Sequence, residues 1–332
     1  MSTKLPIGLG FSPNPRSLPI LDGDIEIEGV DLSCSRVNPG ELFHRQLTHQ
    51  EFDVSEMSIS SLLMITEAGN KDWVALPIFS TRHFFGSQAI ARNGAGIDQP
   101  EQMKGKRVGV NEYQQTAALW SRGFFHHEYG VKATDVEWFM ERTPENSHLG
   151  ATGFQPPEGV TLNFIPPETS MGEMMMKGEL DAIQHYFWGS GGMNRSTIDL
   201  AKQPEMHTIF PDPKAEAARY YNKTGIFPFN HTVILRRSIY EANPWVARNI
   251  FEAFEKAKEL SYARTFEATE PWLDTGVLDR AARPSLDTDI FPYGLAANRM
   301  VIEKAMEFSH EQGLTPRVMT PEEVYAPTML ET

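Results

Sequence analysis

His231, Glu56 and Arg82 are the side chains in this 332-residue sequence best suited to acid–base work on an anionic molecule. His231 follows Phe227-Pro228-Phe229-Asn230, and imidazole is the group whose charge changes near neutral pH. It is either an acid–base group or a histidine satisfied inside a core. Glu56 ends a predicted strand, 52–56, just before the serine-rich run Ser58-Ile59-Ser60-Ser61. Desolvation at such a place raises a carboxyl pKa and makes a proton donor. The alternative is a helix-dipole partner or an interdomain ion pair. Arg82 offers a planar fork that fits a carboxylate, or else ends in a surface ion pair. His83 beside it and His185 further along are additional acid–base candidates.

Two strand-to-helix junctions are expected to position these groups. Residues 107–110 read as a buried strand that runs through Asn111-Glu112-Tyr113-Gln114-Gln115 into a helix from Thr116. Helix N-termini at the carboxyl ends of parallel strands present free N–H groups and favour an anion. Tyr113, Gln114 and Thr116 sit at that junction. Ser58 and Ser60 sit at the other, where they either meet a ligand or cap their helix. Arg107 lies within its strand and faces either the cleft or the outside. Tyr113 either binds a phenol or packs. Tyr186, Phe187 and Trp188 either stack on an aromatic ligand or form plain packing, and Tyr293 reads the same way.

The chain alternates strand and helix up to residue 79, crosses in extended form at 83–92, and alternates again. It crosses back at 224–237 and ends in helices. Residues 5–9 and 25–32 read as strands, Asn38-Pro39-Gly40-Glu41 as a helix start with a capping box, and Ser170–Glu173 as another. Asn243-Pro244 opens a long helix, and 298–312 is amphipathic. Two crossings make an α/β protein of two lobes, each a mostly parallel sheet with helices. Residues 1–90 and 236–332 form one lobe, 91–235 the inserted other, with a ligand cleft between them.

A net charge of −14 argues against nucleic-acid or anionic-membrane partners but leaves room for a small acidic ligand. Cys34 is the single cysteine, so no intrachain disulfide or cysteine–zinc cluster forms. No apolar run spans a bilayer, and residues 1–9 hold no leader of signal-peptide length, which sets the expectation of a cytoplasmic protein. His126-His127 is rejected as a metal site: neighbours on a helix point about 100° apart, and no carboxylate completes a known spacing. His44 and His49 read as surface residues. Gly94-Ala95-Gly96 and Gly191-Gly192 lack the strand, spacing and lysine of a phosphate loop.

Residues 105–110, Gly178-Glu179-Leu180-Asp181-Ala182, and the strand 232–236 leading to Asn243-Pro244-Trp245 resemble type II periplasmic solute-binding proteins. Four segments resemble the 4,5-dihydroxyphthalate decarboxylase family, an enzyme branch of that fold. They are Phe52-Asp53-Val54-Ser55-Glu56-Met57-Ser58, Glu112-Tyr113-Gln114-Gln115-Thr116-Ala117, Gly225-Ile226-Phe227-Pro228-Phe229-Asn230-His231, and Phe291-Pro292-Tyr293-Gly294-Leu295 with Glu311-Gln312-Gly313-Leu314-Thr315-Pro316. The resemblance covers most of the chain outside 141–160 and 184–222. It departs after Ala182, where an arginine and prolines are expected and the chain reads Ile183-Gln184-His185-Tyr186-Phe187-Trp188-Gly189-Ser190-Gly191-Gly192.

The resemblance implies a decarboxylase of a hydroxylated aromatic dicarboxylic acid, converting 4,5-dihydroxyphthalate to 3,4-dihydroxybenzoate and CO₂ without cofactor or metal. Arg82 and the two helix N-termini would hold the carboxylates, with Ser58, Ser60, Arg107, Gln114, Thr116, His185 and Tyr186 around the substrate. His231 or Glu56 would protonate the ring, and Tyr113 or His83 would attend the phenols. The rival expectation is a solute-binding or sensing protein that does no chemistry. A homo-oligomer is compatible with either.

Overall fold

The computed structural model describes residues 4–187, 189 and 193–332. Met1, Trp188 and Ser190-Gly191-Gly192, all used in reading the sequence, lie outside the described residues. The strands in chain order are β1 (Leu5–Phe11), β2 (Val30–Arg36), β3 (Val54–Ser58), β4 (Trp73–Leu76), β5 (Ile90–Arg92), β6 (Arg107–Val110), β7 (Glu137–Met140), β8 (Thr161–Phe164), β9 (Ala182–Ile183), β10 (Met206–Thr208) and β11 (His231–Arg236). They form two mixed sheets, ordered β2-β1-β3-β11-β4 and β10-β5-β9-β6-β7-β8. The first is parallel across β2, β1 and β3, but β11 runs antiparallel to both β3 and β4. The second is parallel from β9 through β6 and β7 to β8, and β5 and β10 join it antiparallel.

The antiparallel β11 corrects one expected boundary. Residues 231–235 belong by hydrogen bonding to the first sheet rather than to the inserted lobe, with His231 opposite Ser58 and Val233 opposite Glu56. Strand β2 also starts later than its apolar–acidic alternation suggests. Gly29 has φ +76° and breaks the extended run, so pairing begins at Val30 opposite Leu5. The helix Pro213–Thr224, capped by Asp212 on the N–H groups of Lys214 and Ala215, fills a stretch the sequence left unassigned. Among the described residues no helix is long and apolar enough to cross a membrane.

The core runs through Ile7, Leu9 and Phe11 of β1 and Val233–Leu235 of β11 into the helices behind them. A smaller cluster of Met171, Met174, Met175, Leu180 and Ile183 fills the far side of the second sheet. The sheets are joined by more than the crossings. The helix Thr116–Tyr129 packs on the C-terminal helix Leu295–Glu311, where a Cβ at Gly123 would come within 2.1 Å of the Phe308 ring. Buried Arg122 on the first of these helices donates to Gln312 Oε1 at 2.8 Å. Where the crossings run side by side, Asn230 N–H meets Thr81 O and His83 N–H meets Pro228 O.

Candidate active site

A cleft of about 550 Å³ opens between the sheets. One wall is the first turn of the helix Pro39–His49, Phe43, Ser58, Asn230 and His231; the other is Gln115-Thr116-Ala117, Arg142, His148, Phe187, Met193 and Asn194. The walls touch through hydroxyls: Thr116 Oγ1 lies 2.9 Å from Ser58 Oγ, 3.2 Å from Ser60 Oγ, and accepts from the Ser60 N–H at 3.2 Å.

On the first wall, antiparallel pairing sets the beginning of β11 beside the end of β3. His231 Nδ1–H donates to Glu56 Oε1 at 2.8 Å across 175 residues of sequence. Glu56 is fully buried and also accepts from the Ser12 N–H and from the hydroxyls of Ser12 and Ser80. Burial pushes its carboxyl up, but the His231 charge and the bonds from His231, Ser12 and Ser80 outweigh it and hold the group below the ordinary carboxylate range. Glu56 is therefore an ionised partner that orients the ring, in correction of its expected role as proton donor.

The second wall carries residues that the sequence reading missed. Glu112, fully buried in the turn after β6, accepts from Arg142 Nη1 at 2.6 Å, from the His148 N–H at 2.8 Å and from Gln114 Nε2 at 3.2 Å. Burial raises its carboxyl, and the His148 and Arg142 side hold it down by more, so it is ionised. Arg142 Nε donates to Asn194 Oδ1 at 3.1 Å. Its Nη2 makes no hydrogen bond among the described residues and faces the first turn of the Pro39–His49 helix, where a Cβ on Gly40 would stand 3.2 Å away. That helix has no side-chain cap on its N-terminus, because Glu41 bonds Arg45 instead of closing the expected capping box. An uncapped helix N-terminus and a guanidinium facing each other favour an anion between them. Phe43 separates the two imidazoles, its ring centroid 4.8 Å from His231 and 6.1 Å from His148, both edge-on. A usable signal was present: Arg142 lies two residues past the carboxyl end of β7, the strand beside β6.

Of the expected site residues, His231, Ser58, Thr116 and the aromatic Phe187 line the cleft, with Glu56 and Ser60 directly behind. The others do not line it. Arg82 is buried and donates to Phe227 O at 2.9 Å, Pro292 O at 3.1 Å and Asn298 Oδ1, a clamp on two backbone carbonyls and a side-chain amide rather than on a ligand. The His83 ring packs on Phe85. Arg107 stands at the start of β6, the end remote from the helix junction, and forks onto Asp181 at 2.8 and 3.1 Å. Tyr113 is enclosed by Trp138, Phe154 and Arg122. Gln114 is tied to Glu112 and Thr152. Tyr186 donates to Ile198 O. At His126-His127 the carboxylate that sequence spacing lacked comes from Glu311; the three offer ligand atoms within 4.8 Å of one another. His127 Nε2 and Glu311 Oε2, 2.7 Å apart, satisfy each other as a surface hydrogen bond.

His185 lies behind Gln115, whose side-chain amide donates to its Nε2. Burial, then the charges of Arg122 and Arg142, push its pKa down to about 3. Its folded value lies below the unfolded value of about 6.5, so the unfolded chain binds the proton first and stability falls with pH between those values. Between pH 7 and pH 5 this group removes about 2 kcal/mol. Urea midpoints of wild type and His185→Gln at the two pH values check this: the variant should lose that share of the dependence, and an unchanged slope refutes it.

Two mixed sheets closing on one cleft define a type II periplasmic-binding-protein-like fold. The chain superimposes on the periplasmic aliphatic sulphonate-binding protein of Escherichia coli with a TM-score of 0.55 and 14% identity, covering 98% of this chain and 94% of that one. It belongs to the 4,5-dihydroxyphthalate decarboxylase family. It is 32% identical over 334 residues to the 4,5-dihydroxyphthalate decarboxylase of Comamonas testosteroni, covering 99% of this chain and 98% of that protein. A protein of the same name from Pseudomonas putida is 32% identical over 218 residues, 66% of this chain and 82% of that one. No protein-family model matches the chain.

Proposed function

We propose that the protein decarboxylates 4,5-dihydroxyphthalate to 3,4-dihydroxybenzoate. The observation that carries this reading is the buried Glu56 bonded to His231 in a cleft whose opposite wall holds Arg142. One substrate carboxylate lies between Arg142 Nη2 and the first turn of the Pro39–His49 helix. The ring packs among Phe43, Phe85 and Phe187, which line the cleft. His231, oriented by Glu56, delivers a proton to the ring carbon that bears the departing carboxylate, while the phenol para to it releases its own proton. The carbon–carbon bond then breaks, its electron pair returns to the ring as CO₂ leaves, and the phenol is reprotonated. The sum is one proton taken up for each CO₂ released.

Chelator-treated protein is incubated with 4,5-dihydroxyphthalate while CO₂ and 3,4-dihydroxybenzoate are followed. Stoichiometric appearance of both is expected. Tight binding with no turnover, restored neither by time nor by added divalent metal, would instead establish the non-catalytic binding protein that the fold also accommodates.

A further inference from the structure

His148 cannot satisfy both of its neighbours while neutral. Its Nε2 stands 3.3 Å from the carbonyl oxygen of Gly40, across the cleft, and a carbonyl only accepts. Its Nδ1 stands 3.5 Å from Glu112 Oε2, which when ionised also only accepts. A neutral imidazole has one N–H for these two acceptors, and Nδ1 is the buried atom left without a hydrogen bond. An imidazolium serves both. Burial foremost, and then the Arg142 charge, keep His148 below its ordinary pKa against the pull of Glu112. The remaining charged or titratable groups facing it are Glu41 and His44 on the Pro39–His49 helix and His231 beyond Phe43.

A dianion entering beside Arg142 shifts this balance, because it adds negative charge where the ring is short of it. We infer that His148 becomes a second positive charge beside the ligand, its two N–H groups held by Gly40 and Glu112, and takes up one proton from solvent when a dicarboxylate binds. The Nδ1 lone pair accepts that proton, and the Glu112–Arg142–His148 cluster passes from neutral to a charge of about +1. This rests on the dicarboxylate reading above and adds a selection rule: two carboxylates recruit the proton, whereas a monoanion such as benzoate balances Arg142 alone.

The test is calorimetric titration of the intact protein with phthalate, which lacks the phenols needed for turnover. Titrations at pH 7.5 run in phosphate and in Tris, whose ionisation heats differ. Wild type should take up close to one proton, and its Kd should tighten by up to about tenfold per pH unit from pH 8 to 7. His148→Gln should bind more weakly with no uptake and a flat pH profile. Nitrogen NMR of labelled histidine in the unaltered protein should show the His148 ring becoming doubly protonated on saturation. Binding whose enthalpy is the same in both buffers, or uptake that persists in His148→Gln, overturns the inference and leaves the dicarboxylate reading intact. No binding of phthalate at all removes that reading, and the inference with it.

Discussion

Replacing His231 with glutamine should lower turnover of 4,5-dihydroxyphthalate by about 10²–10⁴-fold, the usual loss when a positioned proton carrier is removed. Binding of phthalate should change by no more than a few-fold, because Arg142 and the helix N-terminus lie on other elements. Glutamine retains a donor for Glu56, so the buried carboxylate is not stranded and the fold should hold. Glu56→Gln tests the same pair from behind. Its amide still bonds Ser12 and Ser80, yet it no longer offers an ionised acceptor to the ring, and turnover should fall with little change in affinity. Single-turnover rates together with phthalate Kd separate these effects. A His231→Gln protein that turns over within threefold of wild type removes His231 from the chemistry.

The other large effect is expected at Arg142. Arg142→Met strips a fully buried Glu112 of its cation, and breaking a buried pair from one side costs about 3–5 kcal/mol. The urea midpoint should drop accordingly. Phthalate affinity should fall about 100-fold or more as the carboxylate loses a charged anchor. The double variant Arg142→Met, Glu112→Gln separates the causes: much of the stability should return while binding stays weak. Recovery of binding along with stability would show that Arg142 serves the fold alone.

How much of this was legible in the sequence depends on the range of the interactions. The junctions at Ser58 and Thr116 were legible because a strand, a polar turn and a helix start are written in adjacent residues. Glu56 and His231 were each singled out, but only as rivals for one role. Their pairing depends on the direction of β11 in the first sheet, which no local pattern encodes. The alternatives for Arg82 and Arg107 stay open in the sequence for a related reason: what occupies them, three acceptors for one and Asp181 for the other, arrives from distant parts of the chain. Arg142 and His148 sit in a Gly/Pro-rich loop without periodicity, so hydrophobic patterning passes over them, and only their place beyond a parallel strand end could have marked them.

The Arg82 clamp bears on how fast a ligand gets in. It ties the start of the first crossing to the second crossing at Phe227 and to the C-terminal segment at Pro292 and Asn298, where the chain passes between the two sheets. Association should then proceed without waiting on a slow domain motion, through a mouth that is already formed. The heat-capacity change on binding should correspondingly be small, matching the surface covered in the cleft and no more.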